Sequence, residues 1–161
     1  MQIIGNDLEF DKINNIVFII KFKHWKESSN MIELESLHHV SLSVTNLQKA
    51  KHFYGTMLGF EELKRPDFDF PGAWYRVGNQ QLHLIVHEKS ATLRSDNEIN
   101  SKEGHFAIRV KSYYETLNHL KGLKIKLKEK PNSDSGFAQI FCMDPDLNLI
   151  EFNVDQKSLK E

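Results

Sequence analysis

Four side chains in this sequence are suited by type and spacing to hold a metal ion: His39, His83, His105 and Glu151. His39 opens the stretch His38-His39-Val40-Ser41-Leu42-Ser43-Val44. The pattern returns as Gly104-His105-Phe106-Ala107-Ile108-Arg109-Val110, with the two histidines 66 positions apart (105 − 39). Both copies alternate with period 2, the mark of a strand with two unlike faces. Val40, Leu42 and Val44 share one face of the first copy, as Phe106, Ile108 and Val110 do in the second, and each apolar face calls for a helix over it. The imidazoles fall on the opposite faces. A second correspondence joins Gln81-Leu82-His83-Leu84-Ile85 to Asn148-Leu149-Ile150-Glu151-Phe152, which sets His83 and Glu151 at matching places 68 apart (151 − 83).

Each half thus offers one candidate ligand on its first strand and one on its last: His39 with His83, and His105 with Glu151. Neutral imidazoles and one carboxylate suit Zn²⁺, Ni²⁺, Co²⁺, Mn²⁺ or Fe²⁺. Two histidines and a carboxylate with open positions also make the facial triad of non-haem Fe(II) oxygenases. A lone histidine is more often surface or hydrogen-bonded filler, and His24, His38, His52, His87 and His119 are read so. Glu151 could equally be the polar side of an edge strand. Joint recurrence at matched strand positions is what lifts the four above that reading.

The surrounding elements repeat one plan. A strand over 37–44 meets the N-cap residues Thr45-Asn46. Apolar residues at 3–4 spacing from Leu47 to Leu58 predict an amphipathic helix, closed by Gly59. A short strand over 60–64, the Arg65–Gly72 loop and strands over 73–77 and 81–87 around Gly78-Asn79 complete the half. The second half runs through a strand over 104–110, a helix capped at Ser112, a strand over 123–127, a loop over 131–136 and a hairpin across Asp144-Pro145-Asp146. Residues 89–103 read as a polar linker, and the charged tail after Asp155 as fraying. Residues 1–30, with a possible short strand over 16–20, read as an extension outside the site. The expected organisation is therefore an N-terminal extension (1–30) and one domain (31–161) built from modules 37–88 and 104–154. Aromatic residues of the Arg65–Gly72 loop (Phe68, Phe70) together with Trp74, Tyr75 and Phe137 could wall a substrate or belong to the core.

Composition narrows the function classes. The chain has 161 residues, with 21 Lys+Arg against 22 Asp+Glu, 40% hydrophobic and 27% charged. Such a balance offers no electrostatic case for nucleic acid. One cysteine, Cys142, precludes an internal disulfide framework and fits a reducing compartment. No apolar run approaches the ~20 residues of a membrane span. The expectation is a cytoplasmic protein with a small-molecule substrate.

Between Leu37 and Val154 the chain resembles the vicinal oxygen chelate superfamily: glyoxalase I, fosfomycin-resistance thiol transferases, extradiol dioxygenases and bleomycin-resistance proteins. The resemblance is carried by His38-His39-Val40, Phe53-Tyr54-Gly55-Thr56-Met57-Leu58-Gly59-Phe60, Gly104-His105-Phe106-Ala107 and the run from Asp144 to Phe152. It implies an α+β fold of two βαβββ modules forming a cup around one divalent metal, often at a dimer interface, and so a homodimer. It places His39, His105 and Glu151 at ligand positions. His83 stands where glyoxalase I has a fourth ligand, more usually glutamate or glutamine. It also stands where extradiol dioxygenases keep an acid–base histidine. The implied activity is a glyoxalase I-like lyase or isomerase, with Glu151 and His83 as proton-moving groups. The alternatives are an extradiol-type Fe(II) dioxygenase, against which Phe141 and Met143 replace the His or Tyr usual there, and a resistance protein that binds its ligand or transfers a thiol to it.

Overall fold

A computed structural model of the chain describes residues 32–160, and the possible strand over 16–20 lies outside them. Residues 32–36 take no helix or strand and are exposed. From His39 onward two four-stranded sheets form. The first contains β1 (His39–Val44), β2 (Glu62–Leu63), β3 (Gly72–Val77) and β4 (Gln80–Val86), in the order β1-β4-β3-β2. The second contains β5 (Phe106–Arg109), β6 (Lys128–Lys130), β7 (Phe137–Met143) and β8 (Leu149–Asp155), in the matching order β5-β8-β7-β6. The first and last strands of each half run parallel, and the remaining pairs are antiparallel. Two α+β modules of βαβββ type result.

Strand parity sorts the side chains. Val40, Leu42, Val44, Ala73, Leu82 and Leu84 lie on the face covered by helix α1 (Leu47–Lys51), capped by Asn46 Oδ1 accepting from Lys49 N–H. Tyr75 is on this face too and is buried, so it is core rather than substrate wall. Helix α2 (Tyr113–Gly122), capped by Ser112 Oγ accepting from Glu115 N–H, covers β7 and β8 with Tyr113, Leu117 and Leu120. One apolar cluster draws on both modules.

The Asp144–Asn148 turn joins the two modules. Tyr54 Oη–H donates to Asp144 Oδ2 at 2.8 Å, Asn148 Nδ2–H donates to the Ser43 carbonyl at 3.1 Å, and the Thr45 N–H donates to Asp146 Oδ1 at 2.9 Å. His119 Nε2–H adds a bond to the Met57 carbonyl at 2.7 Å. The module surfaces opposite the helices are left to form the site.

Several expectations are corrected. The first helix is not α-helical to its end: after Lys51 it widens into a π-helical turn (His52–Met57), in which Leu58 N–H reaches the Phe53 carbonyl five residues back. The second strand of the second half is Lys128–Lys130, not 123–127. Lys124 takes φ 57° after the helix, and Ile125 and Leu127 pack on the core as coil before pairing begins. The linker is not featureless. Ile99 is buried against Phe141 and Leu149, and Lys126 and Lys128 ammonium groups donate to the Asn97 and Ile99 carbonyls. The tail does not simply fray. Gln156–Lys160 forms a 3₁₀ turn, tied back where Gln156 Oε1 accepts from Ser133 N–H.

Candidate metal centre

Register places the four candidate ligands by one rule in both modules. Ser41 pairs with His83 and Ala107 pairs with Glu151. His39 and His105 each precede their paired residue by two, and so share a face with the last-strand candidate. His105 sits one residue before β5, not within a strand over 104–110. The structure brings the candidates together as two pairs. Among the described residues no group of three or more His, Cys, Asp or Glu converges to hold one ion.

In the first pair, His39 and His83 stack with ring centroids 4.2 Å apart and planes 13° apart. Trp74, directly across from His83 on β3, stacks on it at 4.2 Å and 9°. His83 is buried and its Nε2 meets Gln81 Oε1 at 2.8 Å, while exposed His39 meets His38 Nδ1 through its own Nδ1 at 2.9 Å. Burial first, then the nearby His39, His38 and Arg65, lower the His83 pKa below its ordinary value and favour the neutral ring. Beyond Trp74 lie Phe68 and Phe70, stacked on each other at 5.2 Å and both partly exposed. The Arg65 guanidinium lies 4.5 Å from the Phe68 ring centroid and donates to the Phe70 carbonyl at 2.7 Å.

The second pair is tighter. His105 Nε2 lies 3.1 Å from Glu151 Oε2, and His105 Nδ1 lies 2.8 Å from the Glu103 carbonyl. A carbonyl oxygen can only accept, so Nδ1 carries the hydrogen, and in the neutral ring the Nε2 lone pair faces a carboxylate oxygen. Two acceptors at that distance call for a proton or a cation between them. A histidine whose other nitrogen is held by a backbone carbonyl is also the usual state of a metal-ligating imidazole. The donor set therefore fits a divalent ion. His105 borders a cleft of roughly 460 Å³ together with Ser41, Thr92, Arg94 and Asn148.

Glu151 is 4% exposed and accepts two hydrogen bonds, from Asn153 Nδ2 at 2.7 Å and Gln139 Nε2 at 2.9 Å. Neither amide was singled out from the sequence, nor was Gln81. Parity held the signal: Asn153 follows Glu151 by two on one strand, and a hairpin register about Asp144–Asn148 sets Gln139 opposite Asn153.

A family model described as the glyoxalase/bleomycin resistance protein/dioxygenase superfamily matches residues 36–152. The chain is 28% identical over 129 residues to "Glyoxylase I 4" of Arabidopsis thaliana, covering 78% of this chain and 74% of that one. It is 30% identical over 132 residues to the "Trivalent organoarsenical cleaving enzyme" of Bacillus sp. (strain MD1), covering 76% and 75%. The crystal structure of a glyoxalase family protein from Enterococcus faecalis aligns with TM-score 0.60 and 26% identity, over 75% of this chain and 98% of that one.

Proposed function

The chain belongs to the glyoxalase/bleomycin resistance protein/dioxygenase superfamily, and on that premise we propose that it is a divalent-metal-dependent enzyme, a glyoxalase I-like lyase or isomerase acting on a small substrate that presents two oxygens. The observation that carries the proposal is the His105–Glu151 pair, an imidazole lone pair turned on a carboxylate oxygen 3.1 Å away, with the far nitrogen fixed by a carbonyl. His39, His83, His105 and Glu151 would hold the ion, of Zn, Ni, Co, Mn or Fe type. Such an ion supplies Lewis-acid polarisation of the substrate oxygens. Glu151 and His83 are the groups able to move a proton beside it.

The centre is completed between two copies of the chain in a homodimer: His39 and His83 of one face His105 and Glu151 of the other. In support, β1 and β5 are the outer strands of separate sheets, and among the described residues each has an unpaired edge that association would cover. Each carries or adjoins one ligand of its pair. Co-expression of His39→Ala and Glu151→Ala chains tests this. In the mixed dimer one site receives both lesions and the other receives neither, so metal binding and turnover return. If each site lies within one chain, nothing returns.

A second reading rests on the His39–His83 stack. The lone pairs of nearly parallel stacked rings lie in separate planes, so one ring must turn before both can reach a single ion. That geometry favours a three-residue centre of His39, His105 and Glu151, with neutral His83 as the acid–base group of a dioxygenase-type reaction.

A further inference from the structure

Glu151 is a buried carboxylate, and a buried charge persists only where donors compensate it. Here Asn153 donates to Oε1 and Gln139 to Oε2, so each oxygen has its own amide donor. The orientation of both amides is chemically forced, because only their NH₂ ends can face a carboxylate. Asn153 is itself 8% exposed, which shields its bond from water.

The two modules supply an internal control. Strand register matches Gln139 to Gly72 and Asn153 to Ile85 of the first half, where the last-strand candidate is His83. Those positions carry no polar side chain. The amide pair therefore accompanies the carboxylate and is absent from the histidine half. Packing alone would not choose two amides on a face where the other module places glycine and isoleucine.

We infer that Gln139 and Asn153 are positioning residues that clamp Glu151 as a stationary carboxylate beside His105, and that they set the affinity of this protein for its metal. The inference rests on the metal-centre reading above. It assigns the clamp a consequence that a merely structural contact lacks: outer partners of a ligand tune binding by roughly 10–100-fold.

The test uses full-length protein and Co²⁺, whose binding is followed by calorimetry and visible absorption. Gln139→Met and Asn153→Leu each remove a donor at similar volume. The expected result is a Co²⁺ Kd about 10-fold weaker for each single variant and up to about 100-fold weaker for the double variant, with the metal-free variants still folded at the assay temperature but melting lower than wild type, because a buried carboxylate has lost a donor. A second measurement needs neither metal nor those variants to fold well. In metal-free wild-type protein the side-chain NH₂ resonances of Gln139 and Asn153 should lie apart from those of exposed amides and move on Glu151→Ala. Amide resonances indifferent to Glu151→Ala would overturn the inference. So would an unchanged Kd in the double variant while Glu151→Ala abolishes binding, an outcome that leaves the metal centre standing. Wild-type protein that binds no Co²⁺ would overturn both.

Discussion

His83 is the residue whose role separates the two enzymatic readings. It is buried between His39 and Trp74, held at Nε2 by Gln81, and biased towards the neutral ring by burial. As a fourth ligand, its removal in His83→Ala lowers metal content and turnover together. As an acid–base group, its removal leaves metal content intact while the rate falls by about 10²–10⁴-fold. Metal analysis and rate measurement on one preparation distinguish the two. Tyr54 is a second informative residue, because its hydroxyl donates to Asp144 inside the junction of the modules. Burial raises the Asp144 pKa, and its hydrogen bonds from Asn148 and Tyr54 oppose that rise. Tyr54→Phe withdraws one of those donors from a buried carboxyl group. A loss of about 1–3 kcal/mol in urea unfolding is expected.

At the scale of elements, the β3–β4 ladder depends on a glycine. A Cβ on Gly72 would overlap the backbone carbonyl oxygen of Leu84 and press the Arg65 side chain. Backbone cannot yield as a flexible side chain does, so Gly72→Ala must displace β3 from β4 or move the Arg65–Phe70 loop. The expected cost is about 1–3 kcal/mol, the range of overpacking strain. Gly55, in the π-helical turn, is the contrast. Its added Cβ would approach the Tyr75 hydroxyl at 3.4 Å, an ordinary contact. Thermal melts of Gly72→Ala and Gly55→Ala should therefore separate, and equal melting temperatures would contradict the close approach at Gly72. The distinction matters for the site because β3 carries Trp74 against His83.

At the scale of the whole molecule, buried acids shape the alkaline limit of stability. Burial, with Asp144 adding to it, pushes the Cys142 thiol up to about 12, and burial with Glu62 pushes the Tyr75 phenol up to about 12. Tyr54 is raised in the same direction, by burial first and then by Asp144. In the unfolded chain these groups lose their protons at ordinary values near 9 and 10. Between those values and 12 the folded state holds more protons than the unfolded state, so stability falls as pH rises. The loss should reach on the order of a few kcal/mol by pH 11. Melting temperatures recorded from pH 8 to 11 check it, and Cys142→Ala should flatten part of the decline. A melting temperature that rises over that interval would contradict the burial of these groups.

The sequence alone determined which residues face together and which elements recur. A period of 2 in Val40-Leu42-Val44 and Phe106-Ile108-Val110 assigns each imidazole to the face opposite the helix, because alternation in a strand is a covalent geometric fact. The hairpin glycine Gly78, with φ 60°, and the cap residues Asn46 and Ser112 were legible for the same local reason. Boundaries that depend on partners were not. The strand at Lys128–Lys130 exists only where β7 offers its ladder, and the π-helical turn changes hydrogen-bond partners without changing the apolar pattern. Tertiary structure alone decided that Ile99, in a polar linker, is buried on Phe141 and Leu149, and that Gln139 and Asn153 both reach Glu151. It also decided that the four candidates gather as two pairs. Strand periodicity says which way a side chain points, whereas the distance between two sheets is set by the packing of their helices and by the Asp144–Asn148 turn, which no local pattern encodes.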